Sequence, residues 1–220
     1  MSDGGWALFS VFRRQPAGRV AGAGESDELG AAIDALAADG VTTRGVYDVS
    51  GLRADADVLF WLHGDDPAAL QAGLRRIRRT AIVAPLVPTW SALGVHRDAE
   101  FNRSHVPGFL RGEPARGWLA VYPFVRSYDW YVLPEDDRKR MLAEHGRKGA
   151  AYRSVVANTV AAFGLNDYEW LLPLESDSLT DIVDMMRALR ATEARLHVHE
   201  ETPFFTGRRI EVQELPEVLS

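Results

Sequence analysis

His145 lies in a segment whose residue spacing could serve metal chemistry. The stretch "MLAEHGRKGAAY" at 141–152 is part of a predicted helix within 135–153, and glycines surround its single imidazole. On a helix, residues three and four apart share one face, and here that face carries Met141, Leu142, His145, Gly149 and Tyr152. A glycine costs a helix interior roughly 1 kcal/mol relative to alanine. The segment therefore gives up helix stability next to its imidazole.

Two interpretations of this helix face are open. In the first, His145 is a core histidine and the glycines ease close helix packing, or the helix breaks at Gly146. In the second, a flat and bulky group lies on the face, with the imidazole pointing at its centre. An imidazole that binds haem iron needs a neutral nitrogen, an acceptor for its other N–H and room for the macrocycle.

Two further histidines suggest a different metal site. His197 and His199 are two apart on a predicted strand, so they share a face, and Glu200 is beside them. Two histidines and one carboxylate can hold iron, but a third or fourth ligand has no recognisable spacing. We therefore interpret both histidines as structural, and we expect one carboxylate of "HEE" at 199–201 to accept the second N–H of His145.

The composition is that of a globular chain with a sizeable core. Of its 220 residues, 46% are hydrophobic and 25% are charged, and a chain of this length buries roughly 70% of its unfolded surface. The absence of cysteine excludes disulfides and thiolate-metal sites. A formal net charge of −6 argues against general nucleic-acid binding. No signal-peptide pattern or membrane-length apolar run is present, so we predict a cytoplasmic protein without a membrane span.

The chain contains an internal repeat. "WLHGDDPAALQAGLRRI" from Trp61 aligns without a gap with "WLLPLESDSLTDIVDMM" from Trp170. The alignment matches the apolar helix positions Leu70 with Leu179, Leu74 with Val183 and Ile77 with Met186. In both copies a strand leads through an acidic turn into an amphipathic helix. A single period of this length indicates duplication of a domain, not a solenoid.

Each half of the sequence predicts the same order of elements. The predicted strands cover 6–13, 43–50, 57–63, 84–96, 117–126, 156–164, 167–175 and 197–205. The predicted helices cover 26–39, 67–80, residues within 135–153, and 178–194. The last helix begins with Ser178 and Asp181 in a capping-box-like pair.

The order βαββαβ in each half is the ferredoxin-like arrangement, in which helices cover one face of the sheet and the other face is open. We therefore predict an α+β protein of two ferredoxin-like repeats whose sheets pack face to face, as in a dimeric α/β-barrel. Residues 1–97 form the N-terminal repeat, 98–116 the linker, which is rich in glycine, proline and charge, and 117–220 the C-terminal repeat.

Four segments carry a resemblance to a known family. "WLAVYPFVRSYDWYVLP", "HGRKGAAY", "LNDYEWLLPLE" and "HEETPFFTG" resemble the actinobacterial branch of the coproheme decarboxylases, within the chlorite dismutase superfamily. The resemblance covers most of the chain and is densest from about 96 to 209. It implies a homopentamer of two-repeat subunits that binds iron coproporphyrin III (coproheme) in the C-terminal repeat. Hydrogen peroxide then drives oxidative decarboxylation of two propionates to vinyl groups, giving haem b and carbon dioxide, the last step of the coproporphyrin-dependent haem pathway.

The resemblance also implies roles for individual residues. His145 matches the proximal ligand of the porphyrin iron, and Tyr122 matches a tyrosine whose radical abstracts hydrogen from a propionate. His105, in the linker on the distal side, matches the histidine that exchanges protons with peroxide, which suits an imidazole of near-neutral pKa. Without the resemblance, Tyr122 is an ordinary strand residue and His105 a surface histidine.

Two residues near Tyr122 match the substrate environment of the family. Arg126 follows Tyr122 by four residues on the predicted strand and could bind a propionate with two hydrogen bonds, although a solvated strand end is an equal alternative. Trp130 could donate its indole N–H to a propionate, with core packing as the equal alternative.

The sequence departs from family patterns at two positions. Asn158 stands where chlorite-splitting members have a distal arginine, so chlorite chemistry loses its main electrostatic partner. Ala150 replaces the arginine of the decarboxylase pattern HGxxGRxY, so Arg126 or Arg147 must supply propionate contacts.

Three functions remain open at this stage. The first is the peroxide-dependent decarboxylase, which has a porphyrin substrate and a transient contact with the preceding ferrochelatase. The second is a haem-binding or haem-transfer protein, or a chlorite dismutase-like peroxidase, without decarboxylase turnover. The third is a silent structural relative. Tyr122 discriminates the first two, since a carrier has no use for a redox-active phenol.

Overall fold

The computed structural model describes residues 5–15, 22–98, 100 and 106–220. His105 lies outside the described residues. Contacts divide the chain into two compact units. One contains the residues up to Val95 together with Phe205–Ser220, and the other contains His96–Phe204. The change of unit near Val95 is close to the predicted boundary at 97, whereas residues 205–220 lie with the first unit.

The described residues form short strands and helices in the order expected for an α+β chain. The strands are β1 (Trp6–Arg13), β2 (Val41–Asp48), β3 (Val58–Gly64), β4 (Val87–Val95), β5 (Trp118–Arg126), β6 (Val156–Ala157), β7 (Val160–Ala161), β8 (Trp170–Ser176), β9 (Val198–Glu200) and β10 (Phe205–Ile210). The helices are α1 (Ala23–Asp34), α2 (Pro67–Ile77), α3 (Glu135–Gly149), α4 (Leu179–Arg190) and α5 (Leu215–Val218).

The first unit is an antiparallel sheet with strand order β4-β1-β3-β2-β10. Alternation along β1 and β3 directs Leu8 and Phe60 into a core with Leu70 and Ile77 of α2. The opposite faces of these strands are also buried, since Phe9 and Trp61 are fully inaccessible and their rings lie 5.0 Å apart. A strand that is apolar on both faces is typical of an interior position.

The second unit has β5 and β8 at its centre, paired antiparallel so that Tyr122 lies opposite Leu172. β9 pairs with β5, and the short β6 and β7 both pair with β8. α4 covers this sheet with Ile182 and Met185, which pack on Leu174. The sheet and α4 therefore form the frame that positions the residues of β5.

α4 begins as the sequence predicts. Ser178 is its N-cap and accepts a hydrogen bond from the Asp181 backbone N–H at 3.4 Å. The Asp181 carboxylate accepts a hydrogen bond from the Ser154 hydroxyl, so it ties the segment after α3 to the first turn of α4. The cap is confirmed.

Two predicted strands are wrong in detail. Residues 156–164 form two strands of two residues each, because Asn158 between them directs its side chain into buried polar contacts. The strand predicted for 197–205 is the short β9, and the chain then enters β10, whose Ile210 pairs with Val46 of β2. Pro203 lies in the gap, and proline has no N–H with which to continue a ladder.

A half-buried histidine of the first unit predicts a pH dependence of stability. Burial and, to a smaller extent, the charge of Arg44 lower the pKa of His63 on β3 from 6.5 to about 4, against an opposing effect of Asp65. Between these two pKa values the unfolded chain binds more protons than the native chain, so the free energy of unfolding decreases as the pH falls from about 6.5 to about 4.

We expect His63→Gln to lose less stability over this pH window than the parent chain, by about 2 kcal/mol. Urea unfolding on both sides of the window measures the difference. His199→Gln, which replaces an exposed imidazole, is the matched control. An equally steep loss in His63→Gln and the parent chain would contradict this assignment.

Candidate functional site

α3 is a continuous helix through Gly146. It begins after Pro134 with Glu135, Asp136 and Asp137 in its first turn and ends with Arg147 and Lys148 in its last turn, a charge distribution that favours the helix dipole. The alternative of a helix that breaks at Gly146 is therefore wrong. The helix ends at Gly149, so Tyr152 lies beyond it and packs with the apolar residues around Tyr122.

A side chain at Gly146 or Gly149 of α3 would clash with no neighbouring residue. A β-carbon added at Gly146 would have no heavy atom within 4 Å, and one added at Gly149 would have ordinary contact with Leu189 at 3.8 Å. Close helix packing therefore does not account for Gly146. Gly146 is exposed to solvent, so its open surroundings do not decide between the two interpretations of this helix face.

His145 is half-buried on α3 and is neutral at physiological pH. Burial, together with the charges of Arg126 and Arg190, lowers the pKa of its imidazole to about 4, and the charge of Glu144 opposes this shift. Its Nδ1 lies 3.5 Å from Oγ1 of Thr192. A neutral imidazole whose Nδ1 faces a hydroxyl can offer Nε2 to a metal, so His145 fits the ligand of a porphyrin iron.

Three side chains of α3, one turn apart, hold the chain that follows α4. Arg140 forms an ion pair with the Glu193 carboxylate. The Glu144 carboxylate accepts a hydrogen bond from the Glu193 backbone N–H at 3.3 Å, and Lys148 Nζ donates to the Ala191 carbonyl at 2.6 Å. These contacts fix the 191–193 turn against the helix face that carries the imidazole.

Tyr122 is on β5 and directs its ring toward α4. It is 5% exposed, its ring stacks on Phe204 with centroids 4.3 Å apart, and its hydroxyl lies 3.5 Å from Sδ of Met186. A thioether is a weak acceptor. Burial is the main cause that raises the pKa of Tyr122, so the phenol remains protonated.

Arg126 and Trp130 are in direct contact. The guanidinium lies 4.0 Å from the centre of the indole ring and donates to the Ala194 carbonyl at 3.4 Å. Burial lowers the pKa of Arg126 to about 10, so this side chain is not a solvated strand end. The strand pairing is irregular between Val125 and Arg126, hence the expected alternation from Tyr122 is not kept. Trp130 is 2% exposed and packs with Met141 of α3.

Two arginines near the site were not predicted from the sequence. Arg190 and Arg195 both form ion pairs with Glu201. Arg190 also lowers the pKa of His145 and, against the larger effect of burial, that of Tyr122. The charge of Arg190 therefore acts on both the imidazole and the phenol. No periodic signal marks these residues, because α4, a turn and β9 bring them together only in the folded chain.

The expected contact between an "HEE" carboxylate and His145 is not the one found next to Nδ1, whereas His197 and His199 make structural contacts, as expected. Glu201 binds the two arginines, whereas the group next to His145 Nδ1 is the Thr192 hydroxyl. His197 contacts the Ser127 hydroxyl at 3.1 Å, and His199 lies against the Tyr128 ring with centroids 5.1 Å apart. Among the described residues, no three His, Asp or Glu side chains are grouped as metal ligands.

Asn158 is fully buried, and its side chain has a structural role. Its Oδ1 accepts a hydrogen bond from the Phe109 backbone N–H at 2.8 Å, and its Nδ2 donates to Glu175 Oε2 at 3.0 Å. It thus connects the predicted linker segment 98–116 to β8. Ala150 is the exposed C-cap of α3, and Arg147 is exposed in the last turn.

The mixed helix and sheet fold, with a neutral histidine on α3, is compatible with a class of haem-binding protein, and similarity to known proteins identifies the family. The chlorite dismutase family model matches residues 23–210, so this chain belongs to the chlorite dismutase family. A coproheme decarboxylase of Mycolicibacterium smegmatis is 50% identical over 214 residues, 96% of this chain and 92% of that protein. The family resemblance drawn from the motifs is confirmed.

The fold has a solved counterpart. The chlorite dismutase from Candidatus Nitrospira defluvii in complex with imidazole matches with a TM-score of 0.84 and 18% identity, covering 97% of this chain and 94% of that chain. At this identity the match shows a shared fold alone. Within the described ranges, no helix has the length and hydrophobicity that a bilayer span requires.

Loss of the Asn158 amide should destabilise the second unit. We expect Asn158→Ala to lower the free energy of unfolding by about 2–4 kcal/mol, because the Phe109 N–H and a fully buried Glu175 carboxylate each lose one hydrogen bond. Chemical denaturation measures the loss. Asn166→Ala, which removes one turn hydrogen bond at a half-buried site, is the control and should cost less. Equal stability of the two variants would contradict the role given to Asn158.

Proposed function

We propose that this chain is a coproheme decarboxylase. It converts iron coproporphyrin III to haem b by oxidative decarboxylation of two propionates with hydrogen peroxide, the last step of coproporphyrin-dependent haem biosynthesis. The observation that carries the proposal is the 50% identity, over 96% of this chain, to a protein of that name. The neutral His145 and the buried Tyr122 of the same unit support it.

The proposed iron ligand is His145. When bound, the porphyrin supplies the redox centre at which peroxide is reduced, and it is also the substrate. The chain's own contribution is a neutral imidazole on a helix whose neighbouring glycine leaves open space. Burial disfavours protonation of the imidazole, so its unprotonated nitrogen keeps a lone pair for the metal throughout the neutral pH range.

Tyr122 is the proposed hydrogen-abstracting residue. Its O–H bond must break to give a phenoxyl radical, which then re-forms the O–H by taking hydrogen from the β-carbon of a propionate. Loss of a second electron and of the carboxylate as carbon dioxide leaves the vinyl group. Each propionate thereby gives up two electrons and one proton, and these, with one further proton, reduce one peroxide to two waters. Burial suits this role because the phenol remains protonated between turnovers.

The cations are proposed to hold the propionates. Arg126 is partly buried, and its charge acts on His145. The Trp130 ring and the Ala194 carbonyl that its guanidinium contacts are both uncharged. Arginine binds carboxylates with paired hydrogen bonds. We further propose the Trp130 indole N–H as a donor to a propionate, and His105 as the base that exchanges protons with peroxide. The family motifs support both roles.

We also propose that each of the two units is a ferredoxin-like repeat. Strand order β4-β1-β3-β2 in the first unit has its counterpart in β9-β5-β8 with β6 and β7 in the second, and this correspondence supports two ferredoxin-like repeats. A homopentamer, a cytoplasmic location and a transient contact with the ferrochelatase complete the proposal. They rest on the sequence and its family resemblance.

Replacing the phenol should separate binding from turnover. We expect Tyr122→Phe to bind iron coproporphyrin III but to form haem b roughly 100-fold more slowly or not at all when peroxide is added. Mass spectrometry of the porphyrin measures the loss of carbon dioxide. Tyr152→Phe, which removes a hydroxyl beside the same apolar cluster, is the control. Full turnover in Tyr122→Phe would leave the proposed mechanism without its reactive residue.

Replacing the imidazole should change the iron itself. We expect His145→Ala to lose the Soret spectrum of the imidazole-bound iron and to regain it when free imidazole is added, since a cavity replaces the side chain. His199→Ala, at an exposed histidine, should keep the parent spectrum. An unaltered Soret band in His145→Ala would show that a different residue holds the iron.

A further inference from the structure

The hydroxyl of Thr192 lies beside the imidazole of His145 and donates its own proton to a different group. It is 5% exposed, and its hydroxyl donates to the Leu189 carbonyl at 2.8 Å. A hydroxyl has one proton to donate and two lone pairs. Since the proton is engaged by Leu189, Oγ1 faces Nδ1 of His145, 3.5 Å away, as an acceptor.

We propose that Thr192 is a positioning residue for His145, which accepts a hydrogen bond from Nδ1–H and so fixes the tautomer whose Nε2 is unprotonated. In a neutral imidazole only one nitrogen carries the proton, and the partner of one nitrogen determines the state of the other. The tautomer is a property of the free protein. Its use in iron binding rests on the proposed function.

The carboxylates near this imidazole are engaged in other contacts. Glu144 accepts from the Glu193 backbone and pairs with Lys148, and Glu201 pairs with Arg190. The acceptor at Nδ1 is therefore a neutral hydroxyl. A hydroxyl orients the ring without drawing the proton away from Nδ1, whereas a carboxylate would increase the basicity of the ligand. His145 is thus held as a neutral and moderately basic ligand.

The position of the Thr192 hydroxyl is over-determined. A β-branched side chain has few χ1 states, and the hydrogen bond to Leu189 selects one of them. The contacts of Arg140, Glu144 and Lys148 hold the turn on both sides of Thr192. The acceptor is therefore fixed before any ligand binds.

The test begins with the protein free of porphyrin. In ¹⁵N-labelled protein at neutral pH, we expect the His145 ring to show a protonated Nδ1 and an unprotonated Nε2. Thr192→Val keeps the shape and removes the acceptor, and it should lose the single tautomer. Thr192→Ser should retain it. Thr180→Val, at an exposed threonine of α4, controls for loss of a hydroxyl, and the backbone amide spectrum verifies folding in each variant.

The same variants are then loaded with ferrous iron coproporphyrin III. The iron–imidazole stretching band in resonance Raman spectra should move to lower frequency in Thr192→Val and remain in place in Thr192→Ser. A protonated Nε2 in the free parent protein, or a tautomer and band unchanged in Thr192→Val, would overturn the inference. Failure of the proposed iron site is recognised separately, because His145→Ala would then keep the band whatever the tautomer in the free protein.

Discussion

The neutral state of the His145 imidazole is the condition on which the rest of the site depends. Burial, together with the charges of Arg126 and Arg190, lowers its pKa to about 4, and an imidazolium has no lone pair for a metal. Because burial removes water from the ring, the N–H of the neutral imidazole needs an acceptor within the protein. Oγ1 of Thr192, 3.5 Å from Nδ1, is placed to accept this hydrogen bond. The helix, the turn and the cations act together to present one nitrogen.

The same cations make the site selective for a ligand that carries negative charge. Burial lowers the pKa of Arg126 to about 10, which means that its charge is held at some cost in free energy. The Trp130 ring offsets part of that cost by a cation–π contact. A carboxylate brought by a substrate would offset more. Arg190 and Arg195 already share Glu201, and Glu169 and Glu100 partly offset the cost of burying the Arg126 charge.

Local patterns predicted the elements of this fold far better than the contacts between them. Alternation located β1, β3, β5 and β8 to within a few residues, and the Ser178 cap marked the start of α4. The two short strands around Asn158 could not be found, because the buried amide overrides strand propensity. Thr192 was missed, and Glu201 binds Arg190 and Arg195 although a carboxylate of its segment was expected to bind His145. The reason is related: these contacts cross a turn, and no spacing in the sequence encodes them.

The contacts of Asn158 bear on why position 158 carries no positive charge and the arginines of the candidate site lie elsewhere. Both ends of its amide are bound, by the Phe109 N–H and by Glu175, and the residue is fully buried, so it cannot turn toward a ligand. A guanidinium introduced at this position would lie beside a fully buried carboxylate, that of Glu175. An ion pair with Glu175 would compete with binding of a small anionic substrate. The available positive charge is instead carried by β5 and the end of α4, beside His145 and Tyr122. That distribution favours a large substrate whose carboxylates extend from a metal-bound centre over a small oxyanion that binds at the metal alone.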